Sequence, residues 1–377
     1  MVTGAAGFLG GAVAHALRQR GDEVLALDVR GGPGIEQADI TAPGDWEKAL
    51  EGADLLVHAA AVGFGGVGEL TPVKPGRAGA PVRVSDDELR RVLLGGTATV
   101  LDAAARAGVG RVIHLSCVSV LGRDFPDGVD EKAPVGLTGE ARSDALAAAE
   151  QAVCAAAAHG QAATVLRIGD AYGPRAGRWT LWPVLLLRAK RFVLVDGGRG
   201  VLSPVHVDDV MDAVTAVAAA PASDVAGQVL HVTGGEAVTA SEFFGYYARM
   251  AGVPAPRAVP ARLCEAVGAI DRIRGLAERP RARSAGAARG ERVARSRPGV
   301  IRGFGTLLAS GVDPRTHINL GPLTVADLTR TGTYSIEKIA SLAGWRPAVP
   351  LAEGMARTEI WLRERGMLGV REPARRG

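Results

Sequence analysis

A chain of 377 residues with 47% hydrophobic and 22% charged residues and a mean hydropathy of +0.13 has the apolar surface for a large core, which excludes a disordered protein. No uncharged apolar run reaches the roughly 18 residues of a membrane span, and MVTGAAGFLG lacks a basic leader and cleavage site, so a cytoplasmic protein is expected. The three cysteines Cys117, Cys154 and Cys264 are too scattered for a disulfide framework or a metal site. The net charge of +4 is local: residues 271–302 hold ten arginines against three carboxylates, a net +7, so the rest of the chain carries −3. No aromatic residue interrupts that segment before Phe304, so it reads as a solvated insertion and neither nucleic acid nor membrane is expected as a partner.

In chain order, the first feature is Thr3-Gly4-Ala5-Ala6-Gly7-Phe8-Leu9-Gly10, directly before a helical pattern over 8–20. Glycines at this spacing make a tight turn, let backbone approach a pyrophosphate, and leave helix N-terminal N–H groups open to its charge. Only Met1 and Val2 precede Thr3, which points to a start a few residues short of a full first strand. A strand over 23–28 follows, ending on Asp28, where a carboxylate accepts from a ribose 2′-hydroxyl and repels a 2′-phosphate. NAD is therefore expected rather than NADP.

Further short apolar runs at 54–58, 111–116, 163–168 and 228–232 alternate with helical patterns at 85–107, 140–158 and 208–220. Such alternation predicts a doubly wound α/β fold with a parallel, Rossmann-type sheet. Residues 63–84, rich in Gly and Pro, read as a loop. From about residue 171 the pattern loosens through a Trp-rich stretch at 179–187, a helix at 239–251, an insertion near 257–322 and closing helices at 336–343 and 351–365. This predicts a nucleotide-binding core over 1–170, then mixed core elements and a smaller C-terminal cap built from separated segments. Trp179, Trp182, Phe192 and the leucines 185–187 are expected to offer an apolar wall to a bulky apolar small molecule.

Taken jointly, TGAAGFLG, Asp39-Ile40, His58-Ala59-Ala60-Ala61, GGTATVLDAA, RVIHLSCVSVLG, RIGDAYGPR, PVHVDDV and YSIEKIASLAGWRPAVPLAEGMART resemble the extended short-chain dehydrogenase/reductase group of NAD-dependent epimerase/dehydratases, in its 3β-hydroxysteroid dehydrogenase-like branch. The resemblance implies a nucleotide site made by Gly4, Gly7, Phe8, Leu9, Gly10, Asp28, Asp39, Ile40, His58, Ala59, Ala60 and Ile168. It also implies a homodimer through the helices at 85–107 and 140–158, the second with an Ala-rich face (Ala145, Ala148, Ala149, Ala152).

The catalytic positions depart from that family. Its chemistry uses a Tyr, a Lys four residues later, a Ser or Thr and an Asn. Matching motifs places Cys117 at the Ser/Thr, Glu140 at the Tyr, Asp144 at the Lys and Leu93 at the Asn, and no Tyr occurs before residue 172. Glu140 and Asp144, read as i and i+4 of one helix face, would place two carboxylates in a dry pocket, where repulsion raises one pKa for acid/base work. Cys117 is the candidate nucleophile. Three readings follow: an enzyme using carboxylate chemistry for isomerisation, dehydration or cyclisation; an NAD-binding pseudoenzyme acting through a protein partner; or an oxidoreductase with a non-standard proton donor.

Overall fold

The structure is a computed structural model and describes residues 1–63, 84–265, 320 and 323–368. The expected loop at 63–84 and the Arg-rich insertion lie almost wholly outside the described residues.

Six strands, β1 (Val2–Thr3), β2 (Ala26–Asp28), β3 (Glu36–Gln37), β4 (Leu55–His58), β5 (Arg111–Cys117) and β6 (Ala163–Ile168), join a seventh, Val229–Val232, in one sheet. Reading across it, the order is Val229–Val232, β6, β5, β4, β1, β2, β3, and every neighbouring pair is parallel. The order reverses beside β1, as in doubly wound folds, which opens a crevice beyond the carboxyl ends of the central strands. β2 starts three residues later than the apolar run predicts, because its ladder with the two-residue β1 begins at the pair Val2 and Ala26.

Both faces of the sheet are covered, which is why β6 is buried along its whole length. On one face α1 (Phe8–Gln19) lays Gly10, Val13, Ala14 and Leu17, spaced one helical turn apart, into a core shared with Val210, Val214 and Val217. On the other, Val100 and Ala104 of α3 (Gly96–Ala107) and Val153 of α4 (Ala141–Ala158) pack on Leu56 and Val112. Each fully buried Val or Leu contributes about 1.5–3 kcal/mol. Ala145 and Ala149 of the Ala-rich α4 face are buried within the chain itself.

Glu150, inward on α4, is tied to the sheet by Arg167 of β6 (Nη2 to Oε2 2.8 Å) and by the Ser116 hydroxyl of β5 (2.5 Å). The ion pair is 4% exposed on both sides, so it fixes α4 against β5 and β6 at the edge of the crevice. The predicted helix 85–107 is three pieces: α2 (Asp86–Arg90), a π-helical turn Arg91–Gly95, and α3.

Chain beyond residue 170 contributes both to the sheet layer and to a second core. Trp182, Leu185, Leu186, Leu187 and Phe192 are buried, and Phe192 packs on Phe244, 4.6 Å between ring centroids. The expected apolar wall is thus largely interior. Trp179 alone of these residues lines the nucleotide crevice, while stacking on Phe244 behind it.

Candidate active site

A cleft of about 390 Å³ runs along the carboxyl ends of β1, β2, β4, β5 and β6. Its floor is the Gly4–Gly10 turn. Gly4 has φ +70°, and a Cβ there would lie 2.6 Å from the Ala59 carbonyl oxygen. A Cβ on Gly10 would lie 2.3 Å from the Gly4 carbonyl oxygen, so the turn closes on itself only without side chains. Gly7 caps α1 without a side-chain hydrogen bond, and the first turn carries no acidic residue, leaving N–H groups and dipole open to a phosphate.

Asp28 stands at the end of β2, where its Oδ2 accepts from Ala6 N at 3.0 Å and its Oδ1 from Arg30 N at 2.9 Å. Beyond it, Asp39 accepts from Thr41 N (3.0 Å) and Thr41 Oγ1 (2.7 Å), and with Arg91 beside it these bonds hold its carboxyl below the usual range. Gly4, Gly7, Phe8, Leu9, Gly10, Asp28, Asp39, Ile40, Ala59, Ala60 and Ile168, all expected at a nucleotide, line this one cleft.

His58 does not line it. Its side chain is buried beneath the floor between Thr3 Oγ1 (2.8 Å to Nδ1) and Thr97 Oγ1 (3.0 Å to Nε2). Because Thr97 Oγ1 donates to the Leu93 carbonyl at 2.5 Å, it accepts from His58, which therefore carries its proton on Nε2. The imidazole stacks on His114, 5.2 Å between centroids, and burial lowers the pKa of both rings, His114 to about 4. This histidine braces the end of β1 against the start of α3 and does not line the cleft.

The inner end of the cleft is formed by Leu115, Ser116, Cys117, Gly177, Arg178 and Trp179. Cys117 stands where the sequence placed it, its Sγ accepting from Ser119 N at 3.5 Å. Arg142 and Arg330 lie within electrostatic reach of Cys117. Neither supplies the base a nucleophilic thiol uses.

Glu140 and Asp144 do not act as a facing pair. Glu140 (φ −105°, ψ 111°) is the N-cap of α4, outside the helix, and its Oε2 accepts from Ser143 N (2.9 Å) and Ser143 Oγ (2.7 Å). Asp144 turns back to Thr138, accepting from its N (2.6 Å) and Oγ1 (2.8 Å). The helix start sets the first of these: a free N–H of its first turn draws Glu140 into a capping bond, while Asp144 is held by the chain that leads into the helix. Neither lines the nucleotide cleft.

The side chain that α4 sends inward at this level is Arg142, 5% exposed, whose Nη1 donates to the Gly63 carbonyl at 3.2 Å. Its Nη2 lies 3.8 Å from Asp327 Oδ2 and 3.7 Å from Glu140 Oε2. Asp327 also pairs with Arg178, and accepts from Thr324 N (2.7 Å) and Oγ1 (2.8 Å) in a capping box. Burial would raise its pKa, but the guanidiniums of Arg178, Arg142 and Arg330 drive it far below the carboxylate range. Arg330 in turn pairs with Asp170. Arg142, Arg178, Asp170, Asp327 and Arg330 were missed in the sequence; the only local signal was the Thr324-x-x-Asp327 spacing, which reads as a helix start.

This charge network walls a second cavity of about 480 Å³, lined in part by Ser119, Leu137, Thr138, Glu140, Ser143 and Arg330. Among the described residues, no tyrosine or lysine lines either cavity. Tyr334 packs behind Cys117 with Val118 and Val129, and burial raises its phenol well above the ordinary value. No helix of the described residues is long and apolar enough to cross a membrane.

Comparison with known proteins matches this architecture. The chain is 35% identical to the 3-diazoavenalumate denitrifying reductase of a Streptomyces species over 70% of its own length and 84% of that protein's. It is 31% identical to the dTDP-glucose 4,6-dehydratase of Streptomyces griseus, over 67% and 78%. A solved dTDP-glucose 4,6-dehydratase from Streptomyces venezuelae, with NAD bound, shares the fold at a TM-score of 0.65, covering 97% of this chain and 98% of that one at 23% identity. The profile described as the NAD dependent epimerase/dehydratase family matches residues 1–233, and with the glycine cradle, the Asp28 strand end and the parallel sheet in place, the chain belongs to that family.

Proposed function

We propose that the protein is an NAD(H)-dependent reductase whose acceptor carbon takes hydride without a proton from the enzyme. The observation that carries this reading is that no tyrosine or lysine lines either cavity wall among the described residues, while Arg178 lines one and Arg330 the other. A nicotinamide bound in the cleft supplies the hydride. A carbonyl acceptor would leave an alkoxide that needs an acid. An aromatic carbon bearing a diazonium group does not: hydride forms the C–H bond as the C–N bond breaks, dinitrogen leaves with the bonding pair, and cation plus hydride give a neutral arene.

The relative named as a 3-diazoavenalumate denitrifying reductase supports this class of acceptor. The chain's own residues then position the substrate and exclude water: Trp179 and Leu115 supply apolar contact, and Arg178 a fixed positive field at the inner end of the cleft. The substrate this fits presents one apolar face and reaches the polar second cavity. Isomerisation, dehydration or cyclisation through Glu140 and Asp144 is the weaker reading, since Glu140 caps α4 and Asp144 is bound to Thr138.

The test is incubation with NADH carrying deuterium at both C4 positions and a diazonium-substituted phenylalkenoic acid. Deuterium at the carbon that carried nitrogen, with NAD and dinitrogen formed one to one and only with folded enzyme, is expected. Absence of deuterium in the product would sink the proposal.

A further inference from the structure

Both signs of charge line the second cavity, and the way each is satisfied leaves one of them available. Asp327 is bound by Arg178 and accepts from Thr324 N. Glu140 accepts from Ser143. Asp124 faces Arg123 at 3.4 Å, and Arg123 also reaches Glu265 at 3.4 Å.

Arg330 differs. It lines the cavity at 2% exposure, while its ion-pair partner Asp170 does not line it. Asp170 grips one edge of the guanidinium through Nη2 and is itself fixed by Ser203 N at 2.9 Å. Among the described residues, Arg330 Nε is buried with no hydrogen-bond partner. A guanidinium held from behind presents a fixed planar donor set to an anion. The buried charges point the same way: among the described residues, Arg142, Arg178 and Arg330 stand against Asp170 and Asp327. The nearest further carboxylate, Glu140, is 29% exposed and 3.7 Å from Arg142. Cys117, within electrostatic reach of Arg330, lines the nucleotide cleft, and Ser119, two residues on, lines the second cavity, so one elongated ligand can span both.

We propose that the second cavity is a carboxylate subsite for the substrate, with Arg330 as its anchor and Asp170 as the residue that positions Arg330. The substrate is then an aryl carboxylic acid whose ring lies at the inner end of the cleft and whose carboxylate pairs with Arg330. One incoming carboxylate sets three negative charges against the three guanidiniums. An amide of the same shape brings no charge and still has to displace water from Arg330. The inference rests on the proposed reductase reading, which places the ring where hydride arrives.

The experiment is calorimetric titration of the full chain and its variants, first with NADH, to show which proteins keep a folded nucleotide cleft. With NAD bound, each is then titrated with phenylalkenoic acids of increasing conjugated length and with their primary amides. These probes carry no diazonium group, so no turnover intervenes. The wild type is expected to bind its best acid about tenfold or more tighter than the matching amide, the size of a charge-assisted bond. In Arg330→Gln that ratio is expected to fall to about threefold or less, with the amide's own affinity kept within about threefold. Where the single variant does not fold, Asp170→Asn combined with Arg330→Gln removes both members of the buried pair and leaves no unpaired charge, and the same fall is expected. A wild-type ratio below about tenfold, or one that stays above about threefold in the folded variant, overturns the subsite. Deuterium transfer is read separately, so its absence beside an intact acid preference sinks only the choice of hydride acceptor.

Discussion

The two ends of the cleft are built in opposite ways. The adenosine end is assembled from residues close in sequence: Gly4, Gly7, Gly10, Asp28 and Asp39 lie within the first forty positions and are placed by one turn and two strand ends. The substrate end is assembled from Cys117, Arg142, Asp170, Arg178, Asp327 and Arg330, where Arg178 and Asp327 are 149 residues apart and Asp170 and Arg330 160. Local geometry holds the first, and buried ion pairs between distant segments hold the second. The nucleotide end can thus keep the family's pattern while the substrate end is rewritten residue by residue.

The two ends should therefore break differently. Asp327→Ala leaves Arg178 and Arg142 facing each other in a buried site, and should cost about 3–5 kcal/mol in urea unfolding, as for a buried pair losing one partner. A loss under about 1 kcal/mol would mean that the network is not a structural tie.

Acid should act on the sheet beneath the nucleotide end. His114 is buried with neither ring nitrogen hydrogen-bonded, and its pKa is lowered by burial to about 4 from 6.5. The unfolded chain therefore binds the proton more readily. The stability is fully present above about pH 6.5 and is lost as pH falls toward about 4, on the order of 3 kcal/mol. His114→Phe should flatten that slope in thermal melts between those pH values.

Gly10→Ala forces a methyl against the Gly4 carbonyl oxygen, with a strain of about 1–3 kcal/mol expressed as weakened NADH binding in the same titration. The smallest effect tests the carboxylates. As an N-cap, Glu140 replaced by Ala should cost about 1 kcal/mol of stability, and Glu140→Gln should keep deuterium transfer. Loss of turnover in the Gln variant, with the melt unchanged, would restore Glu140 as an acid or base.

The sequence made the fold and the nucleotide end legible because each signal there is local: alternating apolar runs, a glycine turn before a helix, a carboxylate at a strand end. His58 faces the layer beneath and not the crevice because the last residue of a strand can turn to either, and the hydroxyls of Thr3 and Thr97 decide. Glu140 and Asp144 were paired by helical spacing, but capping moved the helix start by one residue and turned each carboxylate to a backbone donor. Arg142, Arg178 and Asp327 carry no periodic signal, since their meeting depends on how the segment at 323–335 crosses the sheet layer.

That crossing sets a schedule for synthesis. Val129 donates to the Thr333 carbonyl and accepts from Ser335 N, both at 2.9 Å, and Thr331 N bonds Arg123 at 3.1 Å. The contacts in this seam span about two hundred residues, 205 between Gly128 and Thr333. At roughly 5–20 residues per second, the nucleotide cradle can form some ten to forty seconds before the segment at 323–335 that completes the substrate wall has left the ribosome. During that interval a nucleotide can bind a protein whose reaction chamber is still open to water.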